Sequence, residues 1–556
     1  MAAAPGTMRQ PMAHTESPEP ITDTLRSAIA AALVGFELDG APAASEQVHL
    51  ERPANVDHGD LSTNVALALA KRNGRNPREL ALELAEALRS AGIAHVETVE
   101  VAGPGFVNFH LAPSWLHSLL RTVVLAGGDY GRSNVGAGRR VLVEFVSANP
   151  TGPVHAGHAR GAAYGDALAR LLEFSGHAVG REFYINDRGV QMQTFAASLT
   201  ARAEGREAPE GGYHGAYITD WAASMPRDED PLEWGYAHAL GEQRRVLGAL
   251  NVEFDHWFSE REMVDTGAID VTLADLRARG VVDERDGAVW LRSTEFGDDK
   301  DRVLVKSDGE YTYLLPDIAY HRDKFARGWE LLVDVWGADH HGYVPRMKAA
   351  VEALGHDPGD LEVVITQLVR LERDGVEVKI SKRSGDLVTL EELIEEVGPD
   401  AVRLTYLLQS VDSPQTVDLD LVVSQSNENP VFYVQMANAR LNSINRVAAE
   451  RGLERVALDA ADLSLLDHDR ELAVLRSLEV LPETVELAAR ERAPHKITTW
   501  VRELAGAVHG FYHDCPILSP DTPEDLRNAR WWLAEAARTG LRVGLDILGV
   551  SAPESM

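Results

Sequence analysis

Cysteine is nearly absent: Cys515 is the only one in 556 residues. A single thiol excludes an intramolecular disulfide framework, leaves no Cys-x-x-Cys pair for zinc, and suits a cytoplasmic setting. Also missing is any run of about 18 apolar residues, so no membrane-spanning helix is expected. The first residues, MAAAPGTMRQPMAHTESPEP, are polar and broken by proline, without the apolar core of a secretory signal, and 1–20 reads as a disordered leader. Positive charge is scarce, with Lys+Arg at 54 against Asp+Glu at 86 and a net charge of −32. A polyanion docks on positive charge, so this balance disfavours non-specific nucleic-acid binding. It leaves a local basic groove possible, because a Debye length of about 8 Å screens distant acidic surface. What remains is an ordinary globular composition, 45% hydrophobic and 25% charged, on a chain long enough for several domains.

The stretch Val141–Gly176 organises the chain. VLVEFV is β-branched and apolar, as a buried strand requires. Asn149-Pro150-Thr151-Gly152-Pro153 breaks it, His155-Ala156-Gly157-His158 follows, and Ala159–Phe174 has helical spacing closed by Ser175-Gly176. Strand, tight loop and helix start present backbone N–H groups and a positive helix end to an anion. Gly157 would let a phosphate approach closely, and His155 and His158 could donate to its oxygens from one side. A loop with two surface histidines, or a metal pair, remains open on this motif alone.

Before this stretch, Ile21 to about Gly40 is amphipathic. Asp60-Leu61-Ser62-Thr63 offers N-cap residues to an Ala/Leu helix, Pro77 restarts a second helix, and Val96–Leu111 alternates like a strand around a Gly-Pro-Gly break. A small α+β domain over 21–115 follows from this. After the organising helix, Val179–Asn186 is a second strand and Asp187-Arg188-Gly189 turns into a helix. Two strands joined by a helix form half of a doubly wound nucleotide-binding fold, with its ligand beyond the strand ends. Residues 204–302 read as an insertion, Gly/Pro/acid-rich and then β-rich. Tyr313 to Asp317 opens a helix, and Leu331–Trp336 repeats the buried-strand pattern, ending in Gly337-Ala338-Asp339-His340-His341 where a nucleotide would meet a glycine and an acid. Val363–Glu372 and Val376–Ile380 form a hairpin about Asp374-Gly375. It delivers Lys379 and Lys382 to a Ser/Gly-flanked loop, after which Thr389 and Glu392 form a capping box. From Gly398 onward the pattern is helical.

These motifs together resemble the class I aminoacyl-tRNA synthetases. His155-Ala156-Gly157-His158 is similar to their His-x-Gly-His signature, and Lys379-Ile380-Ser381-Lys382-Arg383 to their Lys-Met-Ser-Lys-Ser signature. EFVSANPTGPVHAGH, FGDDKDRV, GADHHGYVPRMKAA and LGVSAPESM resemble the arginyl-tRNA synthetase family in particular, from about Val48 to the C-terminus. The resemblance implies a Rossmann-like α/β catalytic domain over 138–395, an additional N-terminal tRNA-contacting domain, and an all-α anticodon-binding bundle over 398–556. It implies ligation of L-arginine to tRNA(Arg) through arginyl-adenylate, with ATP accompanied by Mg2+ as cofactor and no dedicated protein metal site. His155, His158, Lys379 and Lys382 would stabilise the reacting phosphates, and Gly157, Gly337, Asp339, His341 and Ser381 would bind ATP. Glu144, Asn149, Tyr313 and Asp317 would bind arginine, since a planar guanidinium is best matched by bidentate acceptors. Asn108 of the N-terminal domain would contact tRNA, as would Tyr433 and Arg440 of the bundle, within an aromatic, amide and arginine set that also includes Gln435 and Asn438. Such a paired site can discriminate by as much as ~10⁴, which makes an editing domain unnecessary. Some members of the family activate arginine only with tRNA bound, and the same is expected here. A cytoplasmic monomer with no membrane contact completes the expectation.

Overall fold

The computed structural model describes residues 21–34, 37–38, 41–42, 48–53, 55, 58–378 and 388–556. They form two compact units, the first taking the chain to Gly127 together with Arg446–Glu479 and Gly510–Thr539, and the second the remainder. The C-terminal helical region thus contributes residues to both units.

In the first unit an antiparallel three-stranded sheet is centred on Phe106–Leu111, flanked by Leu61–Thr63 and Val96–Ala102. Its inner face is built by Val107 and Phe109, both fully buried. Asp60-Leu61-Ser62-Thr63 departs from the cap expected of it: Leu61–Thr63 is a strand, and only the Thr63 hydroxyl accepts from a helix N–H, that of Val65 at 3.3 Å. Strand pairing with Phe109 wins because it satisfies the backbone that a cap would leave exposed. The helix Pro77–Ala91 starts as its sequence predicts, with proline in the first turn and Asn76 accepting from the N–H groups of Arg78 and Glu79.

The second unit holds five parallel strands: β1 (Arg140–Glu144), β2 (Ala178–Ile185), β3 (His256–Ser259), β4 (Leu331–Gly337) and β5 (Leu361–Thr366). They lie in the order β5-β4-β1-β2-β3. Helix α1 (Ala159–Phe174) joins β1 to β2, α2 (Leu314–Ala326) precedes β4, and α3 (Val344–Ala353) joins β4 to β5. This is the doubly wound order in which the connections diverge between β1 and β4, leaving a crevice at their carboxyl ends. Val141, Leu142 and Val143 are buried, as both faces of a covered parallel sheet demand. Helix α1 sits close against the sheet because Gly165 has no side chain; a Cβ there would lie 2.2 Å from the Phe145 ring.

The span 204–302 is not one inserted block. His256–Ser259 belongs to the core sheet as its edge strand, and only Val282–Arg285, Ala288–Leu291 and Arg302–Val305 form a separate antiparallel sheet. Four residues with one buried apolar side chain carry too little pattern to be read as a core strand. Likewise, Leu361–Thr366 is a parallel core strand, and among the described residues the hairpin comprises Val369–Arg373 and Val376–Val378. Its turn residues Asp374 and Gly375 have φ of 50° and 70°, which fits the twist of a two-residue hairpin.

Candidate active site

The carboxyl end of β1 makes an unusual turn. Val146 has φ 68° and Ser147 φ 42°, and the Ser147 N–H returns to the Phe145 carbonyl at 2.9 Å. A β-branched residue at positive φ costs about 1–3 kcal/mol, so the surrounding contacts must hold it. They do: the Ser147 hydroxyl donates to Glu144 Oε1 at 2.9 Å and accepts the Tyr184 N–H at 3.2 Å. The chain then runs outward through exposed Asn149, whose Nδ2 donates to Gln191 at 2.7 Å.

At the start of the next helical turn the His155 ring folds back so that its Nδ1 accepts the Gly157 N–H at 3.1 Å. That bond fixes the tautomer: in the neutral ring the proton resides on Nε2. Gly157 is required locally, since a Cβ would lie 2.8 Å from the same Nδ1. The His155 and His158 rings pack with centroids 3.7 Å apart.

Lys379, Ser381 and Lys382 lie outside the described residues. The chain on either side of them is described, and its return end is attached to the histidine loop. Ala156 N–H donates to Val388 O at 2.9 Å and Leu390 N–H to Val154 O at 2.8 Å. The Thr389–Glu392 capping box is formed, with both reciprocal bonds present.

Across the crevice, β4 ends at Gly337, and Asp339 and His341 are exposed on the turn before α3. A Cβ on Gly337 would lie 2.7 Å from Asp339 Oδ1. Tyr313 is 93% exposed, so it shares no buried contact with Asp317. Asp317 is half-buried in the first turn of α2 and accepts the Tyr343 hydroxyl at 2.5 Å. Burial pushes its carboxyl above the usual range, against the bond from Tyr343 and the nearby histidines. Glu260, the residue after β3, carries no sequence signature. Burial raises it too, opposed by a bond from the Tyr184 hydroxyl and reinforced by the charges of Asp317 and Asp187. Glutamate following a short edge strand would have been the only signal.

Glu144 differs from the expectation. Its carboxylate is not awaiting a partner: Lys324, fully buried on α2, donates to Oε2 at 2.6 Å and to Asp334 at 2.8 Å. Asp334, Glu144, Glu182 and His256 stand opposite one another across four adjacent strands. Tyr320, His321, Lys324 and Arg327 of α2 and the loop after it cover that row. Burial pushes Glu182 up, but bonds from His256 and Arg327 outweigh it and hold the carboxyl at about 2. Burial raises Glu144, only partly offset by Lys324.

The residues expected to meet tRNA are mostly engaged within the protein. Asn108 is buried and accepts from the Ser62 hydroxyl at 2.8 Å. The Tyr433 and His509 rings lie 4.5 Å apart, and Arg440 meets His509 Nδ1 at 2.8 Å. Gln435 holds Asp400 at 2.8 Å and Asn438 holds the Pro553 carbonyl at 2.7 Å, so these amides fasten the C-terminal segment.

A doubly wound sheet and two packed histidines in the loop after β1 describe the crevice; comparison with known proteins decides the family. A family model described as tRNA synthetases class I (R), catalytic domain, matches residues 120–211 and 239–443. Models of the arginyl tRNA synthetase N terminal domain and the DALR anticodon binding domain match 21–111 and 434–556. An arginine–tRNA ligase of Bacillus velezensis is 45% identical, covering 97% of this chain and 99% of its own length. The chain belongs to the arginyl-tRNA synthetase family. The arginine–tRNA ligase of Frankia alni is 47% identical over 97% of this synthetase and 100% of its own length. The solved arginyl-tRNA synthetase of Thermus thermophilus shares the fold, with a TM-score of 0.71 at 24% identity over 96% of this chain and 100% of that one. Among the described residues no helix of this family member is long and apolar enough to cross a membrane.

Proposed function

We propose that this synthetase ligates L-arginine to tRNA(Arg) through arginyl-adenylate, in the cytoplasm and as a monomer. The observation that carries the reading is a His-x-Gly-His loop after β1, at the β1/β4 crevice, in a chain that also holds half-buried Asp317 and Glu260 with raised carboxyl pKa and belongs to this family. A carboxylate oxygen of arginine attacks the α-phosphorus of ATP, the bond to the bridging oxygen breaks, and pyrophosphate leaves. The protein contributes position and charge stabilisation rather than covalent chemistry. His155 donates through Nε2 and His158 beside it, with Gly157, Gly337, Asp339, His341 and Ser381 forming the rest of the ATP site. The lysine segment returns at Val388, six residues from Lys382, so at most about 20 Å of chain separates that lysine from the histidine loop. Lys379 and Lys382 neutralise the departing pyrophosphate.

Asp317 and Glu260 accept the guanidinium, with Asn149 and Tyr313 at the rim. Glu144 acts with Lys324 already bound, so its contribution to arginine comes through Oε1. In this reading Mg2+ arrives with the triphosphate. The terminal 2′-hydroxyl of tRNA then attacks the adenylate carbonyl and AMP leaves. Residues 21–115 with Asn108 contact the body of the tRNA, 138–395 catalyse, and 398–556 with Tyr433 and Arg440 read the anticodon. Charging of total tRNA with each amino acid in turn tests the reading, alongside pyrophosphate exchange with and without tRNA. Charging by arginine alone is expected, with exchange only when tRNA is present. Charging by another amino acid, or exchange without any charging, would overturn it.

A further inference from the structure

The loop between β1 and α1 is gripped from outside by side chains that the reaction does not use. Gln243 lies on the helix Pro231–Ala249 and is 1% exposed. Its Nε2 donates to the Asn149 carbonyl at 2.9 Å and the Gly152 carbonyl at 3.2 Å. Rotating the amide would set Oε1 against two carbonyl oxygens, so the orientation is fixed by chemistry. Oε1 finds no donor among the described residues. A buried acceptor in that state weakens the fold where a leucine would not, so what the amide supplies is its hold on the loop. The Tyr217 hydroxyl adds a bond to the Thr151 carbonyl at 3.0 Å, and a Cβ on Gly152 would lie 3.0 Å from that hydroxyl.

The same helix reaches the segment that follows the second signature. Arg245 pairs with Glu391 at 2.6 Å. Glu391 lies on the helix Leu390–Val397, whose first residue is hydrogen-bonded to Val154 of the histidine loop at 2.8 Å. Gln243 and Arg245 are two apart and face different sides, so the helix stands between the loop after β1 and the segment where the chain returns from the lysines.

We propose that Gln243 is a positioning residue for adenylate formation. It sets the Asn149–Gly152 backbone so that Asn149 meets arginine while His155, further along the same loop, meets ATP. This role rests on the proposed reaction. Because both substrates depend on one loop, loss of the anchor disturbs both, unlike a lesion in the guanidinium site.

The test uses the full chain, with pyrophosphate exchange (tRNA present) normalised to active sites titrated by adenylate formation, and thermal melting in parallel. Gln243→Leu is expected to lower kcat/KM for arginine and for ATP together, by about 10–100-fold per titrated site, as misplacement of reacting groups does. Its melting temperature should fall by no more than a few degrees as the two carbonyls lose their donor, leaving the protein folded at the assay temperature. Gln243→Glu places a carboxylate against the two carbonyls. Its activity should recover as pH falls and the acid O–H becomes a donor, a rise the parent profile lacks. Leu variant sites that turn over like the parent's, or a loss that merely follows the unfolded fraction, would overturn the role. A parent protein without arginine-dependent exchange would instead overturn the reaction itself.

Discussion

Asp317 and Glu260 are half-buried carboxylates whose desolvation raises their pKa, a cost that a bound cation would relieve. Asp317→Asn should raise KM for arginine about 10–100-fold, the worth of one charge-assisted hydrogen bond, with KM for ATP within about twofold. Exchange kinetics with each substrate varied in turn decide this; an equal rise for ATP would show that the pocket had collapsed. Since burial raises both carboxyls, KM for arginine should begin to climb at a pH above the ordinary carboxylate range of about 4. Glu182 behaves oppositely. Its folded pKa of about 2 lies below its unfolded value, so its stabilisation is complete above about pH 4.5 and is lost as pH falls toward 2. The urea midpoint should therefore drop over that window, and Glu182→Gln should lower it at neutral pH while flattening the pH dependence. The family resemblance pointed to Asp317 and not to Glu260, because a glutamate after a four-residue edge strand has no distinguishing local pattern.

Helix α1 and strand β1 meet without a spacer, and their contact sets the histidine loop between them. Gly165→Ala would place a methyl group 2.2 Å from the Phe145 ring. Overpacking of this kind costs typically 1–3 kcal/mol. We expect a lower melting temperature together with reduced exchange activity, because the shift propagates to Ala156 and His158 at the head of α1. Unchanged melting would mean that the ring has room to move. The sequence made α1 and β1 legible through period and punctuation. It did not reveal that the glycine inside the helix is an interface residue, since that depends on which strand lies beneath it.

At the scale of the molecule, a net charge of −32 must coexist with tRNA docking. Phosphate contacts by Lys and Arg each contribute about −0.9 to the slope of log affinity against log salt. KM for tRNA should therefore rise by more than about tenfold between about 50 and 200 mM KCl, while KM for arginine stays flat. Steady-state charging across that range is the check, and parallel changes in both constants would argue against a basic docking surface. The same acidic balance should leave non-cognate RNA a weak competitor.

The sequence by itself determined the strand–loop–helix units, the turn at Asp374-Gly375 and the capping box at Thr389, because each rests on residues within a few positions of one another, and it determined the family through the order of such local motifs along the chain. The tertiary structure alone decided that Lys324 neutralises Glu144, that His256–Ser259 completes the parallel sheet, and that Gln243 holds the Asn149 loop. Lys324 and Glu144 are 180 residues apart, and Gln243 and Asn149 are 94 apart. Local propensity carries no information about such partners. Burial of a charge or an amide is settled only when the strand order brings its counterpart within hydrogen-bonding distance.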